Sequence, residues 1–277
     1  MPNVAIIADD LTGACDAGIQ LAAAGFRTSA FIGPSRLPAS FPGDALALST
    51  GTRDLAAPEA AACVRDAARA LRALHFEHHY KKVDSLLRGS VFAEAGACME
   101  SLGHAYCLLS PAYPDNGRRL VGGEVVVTDA GGTRKIPVDL GGAARFGVRA
   151  AHIPLADVAR GPEHLAAVIR GRIEGGPIVL LADAAENVHL RAAADAIRLV
   201  PAACLPAGSA GLAKHMLPHW PAPAAARTPE RVPARPGGRV LVVAGSVHPS
   251  ALAQLDRMRG APGFAVFDDA GEAAHAV

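Results

Sequence analysis

The chain has 277 residues, of which 27 are lysine or arginine and 26 are aspartate or glutamate, giving a net charge of +1. This even balance argues against a nucleic-acid-binding protein and against one that binds an anionic membrane surface. No apolar run approaches the roughly 20 residues of a membrane-spanning helix, and the first residues do not resemble a secretory signal. The five cysteines form no C-x-x-C pair, which predicts reduced thiols in a cytoplasmic protein.

Strand and helix patterns alternate along most of the chain. Short apolar, β-branched runs predict strands, and longer stretches with helical spacing predict helices. In chain order, strands are predicted over residues 4–8, 28–32, 45–49, 79–83, 106–110, 151–153 and 178–183. Helices are predicted over residues 12–25, 58–75, 91–102, 162–173 and 187–199, and another from 208 to 216. A glycine-rich segment, 111–139, interrupts the alternation and contains a hairpin-like stretch over 122–135.

The alternation predicts an α/β fold with a doubly wound, mostly parallel sheet. Residues 218–238 are rich in proline, alanine and arginine, which is typical of a linker. Beyond them, a strand is predicted over 239–246, a helix over 248–259 and a strand over 264–268. We therefore expect a first domain over 1–217, a linker over 218–238 and the incomplete start of a second α/β domain over 239–277.

Two adjacent carboxylates, Asp9 and Asp10, directly follow the first predicted strand and precede a helix. In an open α/β sheet, ligands bind at such carboxyl ends of strands. Paired carboxylates there can orient ligand hydroxyls or act as a general base. In the structural alternative, Asp10 or Thr12 caps the helix and Asp16 is a favourable anion in its first turn. For the Asp9–Asp10 pair we favour a role in ligand binding or catalysis over helix capping. For Asp16 both interpretations stay open.

A second polar segment, residues 81–90, lies at another strand-to-helix junction. Lys82, Ser85 and Arg88 bring two cations and a hydroxyl close together. A guanidinium binds a carboxylate or phosphate through two parallel hydrogen bonds, whereas lysine acts as a point charge. Asp84 can hold Arg88 or accept a ligand hydroxyl. A capped, solvated helix start is the structural alternative.

Arg53 follows the strand predicted over 45–49. The carboxyl ends of parallel strands meet at one edge of a sheet, so Arg53 is expected near the two segments above. An arginine in a loop is usually just solvated, but beside these neighbours it can pair with an anionic substrate.

These segments resemble the four-carbon acid sugar kinases, a family that phosphorylates D-threonate, D-erythronate and 3-oxo-tetronates. The family's Ala-Asp-Asp-Leu-Thr-Gly-Ala-x-Asp segment is matched over residues 8–16. Its Lys-x-Asp-Ser-Thr-Leu-Arg-Gly-Asn segment is matched over 82–90, with Leu86 in place of threonine and Ser90 in place of asparagine. Further family segments are matched at 111–118, 208–212 and 245–249. Five motifs in order along essentially the whole chain are more specific than any one alone.

The resemblance implies a two-domain enzyme in which the N-terminal domain holds the sugar acid and the C-terminal domain holds ATP. It implies a substrate-binding set of Asp10, Arg53, Lys82, Val83, Asp84 and Ser85, with Arg88 close by. Ser246 is the implied nucleotide contact. We expect Arg53, Lys82 and Arg88 to face the substrate carboxylate. Asp10 or Asp84 is expected to orient the hydroxyls, with Asp10 as the catalytic base.

The expected reaction is transfer of the γ-phosphoryl group of ATP to the terminal hydroxyl of a tetronate, for which positioning and charge stabilisation matter most. Mg²⁺ is expected to come with the ATP phosphates, because no dedicated ligand cluster is visible. The histidines show no metal-ligand spacing, and those at 75, 78 and 79 are interpreted as a solvated helix end. The expected partner is a small sugar acid, and a homodimer is the default assembly.

The family's later glycine-rich nucleotide-binding segments have no match before Val277. We therefore expect the nucleotide-binding domain to be truncated. A second hypothesis stands beside the kinase: a sugar-acid-binding domain without catalytic activity.

Overall fold

The computed structural model of the chain describes residues 3–129, 131–221, 242, 244–245, 249–263 and 265–266. The chain divides into two compact units, Met1–Glu230 and Arg231–Val277. In the second unit one helix, Pro249–Met258, is described, which agrees with the helix predicted over 248–259. Most residues of the two strands predicted in this unit lie outside the described residues.

The first unit contains the strands and the remaining helices. Its strands are β1 (Val4–Ala8), β2 (Thr28–Ile32), β3 (Ala45–Ser49), β4 (His78–Lys82), β5 (Tyr106–Ser110), β6 (Arg118–Val121), β7 (Glu124–Asp129), β8 (Gly132–Pro137), β9 (Arg149–Ile153), β10 (Ile178–Ala182) and β11 (Cys204–Gly208). Its helices are α1 (Leu11–Ala23), α2 (Ala57–Arg72), α3 (Val91–Leu102), α4 (Leu155–Val158), α5 (Pro162–Ile173), α6 (Asn187–Leu199) and α7 (Ala210–Met216). Helix α8 is the Pro249–Met258 helix of the second unit.

Eight of the strands form one sheet in the order β2-β3-β1-β4-β11-β5-β10-β9. All its neighbouring strands are parallel. Strands β1, β3, β5 and β10 are buried along their whole length, as expected for parallel strands covered on both faces. This explains why they read in the sequence as continuous apolar runs.

The helices pack in two groups. Helix α2 contacts α3, whereas α1, α7, α6 and α5 contact one another in series. Because β-α-β crossovers are right-handed, chain segments that run in opposite directions along the sheet place their helices on opposite faces. The predicted doubly wound, mostly parallel α/β fold is therefore confirmed. Among the described residues, no helix is both long enough and apolar enough to cross a bilayer.

Strand β11 was not predicted, although it lies between β4 and β5 near the middle of the sheet. Its residues include Pro206 and Gly208, and both residue types weaken a strand pattern. The helix predicted to begin at Gly208 was placed too early. It begins at Ala210 after Ser209, whose hydroxyl accepts a hydrogen bond from Gly211 N at 3.0 Å.

The glycine-rich segment forms a three-stranded antiparallel sheet, β6-β7-β8, which is larger than the predicted hairpin. Asp183, directly after β10, binds this small sheet to the main one. Its carboxylate accepts hydrogen bonds from Gly122 N at 2.7 Å and Gly123 N at 3.2 Å, both in the β6–β7 turn.

The connections that leave the neighbouring parallel strands β1 and β4 run in opposite directions along the sheet. The connection through α1 leads from β1 towards β2 at one edge of the sheet, whereas α3 leads from β4 towards β5 on the other side. Such a reversal leaves a crevice at the carboxyl ends of the two strands, where open α/β proteins bind ligands. The polar segments that the sequence singles out follow β1, β3 and β4.

Candidate functional site

Arg53 lies at the centre of the polar cluster and joins the ends of three strands. Its Nε is 2.7 Å from Asp9 Oδ2, and its Nη1 is 2.5 Å from Asp10 Oδ2. Its Nη2 lies 3.9 Å from Asp84 Oδ1. The side chain of Arg53 is 17% exposed, so these ion pairs are only weakly screened by solvent. The structure thus brings together the three segments that the sequence places at one sheet edge.

Backbone hydrogen bonds also fix the loop of Arg53 to the end of β1. The amides of Thr52 and Arg53 donate to the carbonyl oxygen of Asp9 at 2.8 and 3.3 Å. Asp10 also caps α1, because its Oδ1 accepts a hydrogen bond from Gly13 N at 2.7 Å. The capping interpretation of Asp10 is therefore correct, and it coexists with the contact to Arg53.

Lys82, the last residue of β4, places a buried amine beside the start of α1. The residue is 4% exposed, and its Nζ donates to Val83 O at 3.0 Å. Burial lowers the pKa of Lys82, although the carboxylates of Asp16, Asp9 and Asp10 act in the opposite direction. No hydrogen bond or ion pair within the described residues joins this amine to a carboxylate, so it is the cation best placed to meet an incoming anion.

Gly13 provides the space that this arrangement needs. A Cβ atom at this position would lie 2.7 Å from Asp10 Oδ1 and 3.1 Å from Lys82 Nζ. The helix start can therefore approach both polar groups only because residue 13 has no side chain.

The loop after β4 is built around Asp84. Arg88 forms a two-pronged ion pair with it, Nε to Oδ2 and Nη2 to Oδ1, both at 2.8 Å. The Leu86 amide also donates to Asp84 Oδ2 at 3.1 Å. Burial raises the pKa of Asp84, but the hydrogen bonds from Arg88 outweigh it and hold that pKa below its usual value. Leu87 adopts a left-handed backbone with φ of 57°, which is strained for a side chain of this kind.

Two more residues of this loop belong to the substrate-binding set that the resemblance implies. Ser85 is half-buried. The side chain of Val83 is buried in the core, and its amide donates to Gly208 O at 2.9 Å. Val83 can therefore meet a ligand only through its backbone.

Asp16 is closer to the site than the sequence alone indicated. Gly13 and Asp16 are three residues apart on α1 and share a helix face, which brings Asp16 near Lys82. Burial raises the pKa of Asp16, with Lys82 lowering it and Asp10 raising it further. The spacing from Gly13 was the available signal, but it acquires meaning only once Lys82 is known to face this part of the helix.

The cluster holds four carboxylates, of Asp9, Asp10, Asp16 and Asp84, against three cations, of Arg53, Lys82 and Arg88. This composition suits a ligand that carries both hydroxyl groups and a single negative charge better than it suits a polyphosphate. Within the described ranges, no group of three or more His, Cys, Asp or Glu side chains is arranged to hold a metal ion. Ser246 lies outside the described residues.

The interpretation of the histidines as a solvated helix end was wrong for two of them. His78 and His79 belong to β4, and α2 ends earlier, at Arg72. The His79 ring packs edge-on against His104 with ring centroids 5.3 Å apart. Burial lowers the pKa of each of these two rings to about 4.

The chain is similar to one described domain family and to several named proteins. Residues 4–140 match the family described as Sugar-binding N-terminal domain. The chain is 34% identical over 272 residues to a protein of Bordetella bronchiseptica named D-threonate kinase, covering 94% of this chain and 63% of that protein. It is 32% identical over 277 residues to a D-erythronate kinase of Heliobacterium modesticaldum, covering 94% of this chain and 61% of that one. The chain thus spans about three fifths of the length of these relatives.

Solved structures show the same fold. One similar structure is a domain of unknown function from Bordetella bronchiseptica, a domain-swapped dimer with bound citrate. Its TM-score is 0.63 at 31% sequence identity, covering 78% of this chain and 55% of that one.

Proposed function

We propose that this chain, as a member of the four-carbon acid sugar kinase family, serves the ATP-dependent phosphorylation of a four-carbon sugar acid at its terminal hydroxyl. D-threonate, D-erythronate and 3-oxo-tetronate are the candidate substrates. The observation that carries the proposal is the convergence of Asp10, Arg53, Lys82 and Asp84 at the carboxyl ends of β1, β3 and β4. The relatives' names support the reaction class.

Lys82 is the group that we assign first to the substrate carboxylate. Arg53 is already held by Asp9 and Asp10, so it contributes positive charge and can turn one Nη group towards the ligand. Arg88 is assigned to the rim of the site, because its side chain is 62% exposed. The citrate in the similar structure is also a carboxylate ligand, which supports an acid as the substrate.

Asp10 and Asp84 are assigned to the substrate hydroxyls. Both oxygens of Asp10 already accept hydrogen bonds, from Gly13 N and from Arg53. A carboxylate offers about four acceptor positions, so Asp10 retains the capacity to orient a hydroxyl and to take its proton. Ser85 and the backbone of Val83 complete the set.

ATP with Mg²⁺ would supply the phosphoryl group. The excess of carboxylates makes the cluster unsuitable for a triphosphate, so ATP is assigned to residues outside it, with Ser246 as the proposed contact. We accordingly propose that residues 1–217 hold the sugar acid, that 218–238 are a linker and that 239–277 begin a nucleotide-binding domain. A cytoplasmic homodimer is proposed as the working form, and the dimeric relative supports the assembly.

Isothermal titration of the 277-residue chain with the three tetronates tests the binding half of the proposal. At least one acid should bind, and the uncharged polyols erythritol and threitol should not. R53A should abolish this binding, whereas R27A should not, because Arg27 forms its ion pair with Asp44 at an exposed position. A chain that binds none of the acids contradicts the site assignment.

An ATP-coupled assay then separates the two remaining hypotheses. Turnover by this chain alone excludes a non-catalytic binding domain. Tetronate binding without any turnover favours the non-catalytic domain over the kinase.

A further inference from the structure

A buried ion pair lies directly behind the candidate site. Lys81 Nζ, from β4, is 2.7 Å from Glu94 Oε2, from α3, and the two side chains are 0% and 2% exposed. Successive side chains of a strand point to opposite faces, so Lys81 faces α3 while its neighbour Lys82 faces α1. The sequence shows a Lys-Lys pair, but only the structure separates the two residues into different environments.

Glu94 also contacts the loop that carries Arg53. The hydroxyl of Thr52 donates to Glu94 Oε1 at 2.9 Å, and Thr52 is fully buried. The Thr52 amide donates to Asp9 O at 2.8 Å. Glu94 is therefore bonded to the residue immediately before Arg53 and to the residue immediately before Lys82.

We infer that Glu94 is a positioning residue of the sugar-acid site, acting through Thr52 on Arg53 and through Lys81 on Lys82. A buried ion pair contributes little net stability compared with apolar residues of the same shape. The effect of this ion pair on geometry matters more here, because one carboxylate fixes the ends of β3 and β4 relative to each other. The expected effect of Glu94 on tetronate binding rests on the proposed function, whereas its effect on the orientation of Arg53 does not.

The loop after β4 adds a second constraint on the same backbone. Gly89, with φ of +87°, packs so closely that a Cβ atom there would lie 3.2 Å from Arg53 O. Helix α3, which contains Glu94, begins just after this loop. Arg53 is thus held on one side by Thr52 and Glu94 and on the other by the turn that leads into the same helix.

T52V is the most direct test, because valine keeps the shape of threonine and removes the hydroxyl that donates to Glu94. The same hydroxyl lies 2.8 Å from Thr50 Oγ1, so a variant at Glu94 is needed to separate the two contacts. T28V is the matched control, since the hydroxyl of Thr28 bonds Phe26 O at 3.1 Å in the same sheet, away from the site. E94Q is the second variant, to be compared only under conditions where circular dichroism shows it to be folded. Each variant is the full 277-residue chain.

Two readouts are needed. The first is the NMR resonance of the Arg53 Nε–H group, which donates to Asp9 in the wild type and is assigned by its loss in R53K. The second is tetronate affinity by isothermal titration. T52V should shift or broaden the Arg53 resonance and weaken binding by about tenfold, the loss expected for one buried hydrogen bond, while T28V leaves both unchanged.

An unchanged Arg53 resonance in both T52V and folded E94Q overturns the inference. So does tetronate affinity in T52V equal to that of T28V. If the wild type binds no tetronate, the proposed function fails, and the Arg53 resonance still decides the positioning role without any ligand.

Discussion

Arg53 Nε donates to Asp9 Oδ2 at 2.7 Å at the ends of neighbouring strands, where the Asp9 side chain is buried and that of Arg53 is 17% exposed. The bond joins β1 to the loop after β3 at the point where the main chain also connects them, through the Thr52 amide and the Asp9 carbonyl. The candidate site is therefore built on the rigid end of the sheet, and the guanidinium at its centre is already fixed in orientation before any ligand arrives.

Removing Arg53 should destabilise the protein as well as its site. R53A leaves the carboxylate of Asp9 buried without its cation, and breaking such a pair costs about 3 kcal/mol. Urea unfolding should show that loss as a lower free energy of unfolding. R27A removes a side chain that is 56% exposed and leaves Asp44 bonded to the backbone amide of residue 27 at 2.9 Å, so it should change the free energy of unfolding by less than about 1 kcal/mol. Equal effects of the two variants would contradict the buried role of Arg53.

Gly13 should resist replacement by alanine. In an ordinary helix G13A would stabilise by about 1 kcal/mol, but here the new Cβ would lie 2.7 Å from Asp10 Oδ1 and 3.1 Å from Lys82 Nζ. We expect G13A to lower both the free energy of unfolding and tetronate affinity. G171A is the matched control, because Gly171 in α5 has open space around its Cβ position. That variant should gain stability, and a gain in G13A as well would show that the crowding is not real.

Acid should weaken the fold through His79 and His104. Their pKa values are lowered to about 4, so the unfolded chain takes up protons first, near its ordinary pKa of about 6.5. Above that pH the rings are neutral in both the folded and the unfolded chain, so they do not make stability depend on pH. As the pH falls from about 6.5 towards 4, protons bind the unfolded chain preferentially and the free energy of unfolding decreases. The loss between pH 6 and 5 should be roughly 1 kcal/mol for each histidine.

Urea unfolding at a series of pH values measures this slope. H104L should flatten it, because one of the two buried rings is removed. H75N is the control, since His75 is exposed and its left-handed backbone (φ of 55°) tolerates asparagine. If the slope in H104L is as steep as in the wild type and in H75N, the acid sensitivity comes from other groups.

The sequence predicted the parts of this molecule in which local pattern and tertiary environment agree. The apolar runs of β1, β3 and β5 are buried parallel strands with the predicted bounds. Strand β11 escaped prediction because Pro206 and Gly208 contradict a strand pattern locally, while pairing with β4 and β5 on both sides determines the structure. Long-range packing of this kind leaves no periodic signal.

The same distinction holds for the candidate site. Asp10, Arg53 and Asp84 were predicted because they follow strands, and strand ends converge in this fold. Glu94 was missed because it lies inside a helix, where a glutamate is usually solvated. A charged residue in the otherwise apolar start of α3 was the available signal, but its partners, Lys81 and Thr52, are distant in sequence. Only their three-dimensional packing reveals the network.

Asp183 should strengthen the attachment of the small antiparallel sheet to the main one, beside the backbone bridge between Leu120 and Ala184. Besides the Gly122 and Gly123 amides, its carboxylate accepts from Leu155 N at 3.1 Å and lies 2.8 Å from His152 Nε2. The residue is 1% exposed, so every bond that it loses leaves a buried donor without a partner. In D183N an NH₂ group replaces one carboxylate oxygen and cannot accept a hydrogen bond. The donors that were bonded to that oxygen are left buried without an acceptor, which costs about 1–3 kcal/mol for each donor.

Hydrogen exchange measured segment by segment tests where that cost appears. Amides of β6 and β7 should exchange faster in D183N, while those of β1 and β3 keep their protection. The Asp183 carboxylate holds the β6–β7 turn, beside two backbone hydrogen bonds of 2.9 Å between Leu120 and Ala184, whereas Arg53 holds the site. D157N is the matched control: Asp157 also bonds a histidine, His164, at 2.9 Å, but its side chain is 30% exposed. Exchange that rises equally in β1 and β6 would mean that Asp183 supports the whole fold, and not this attachment alone.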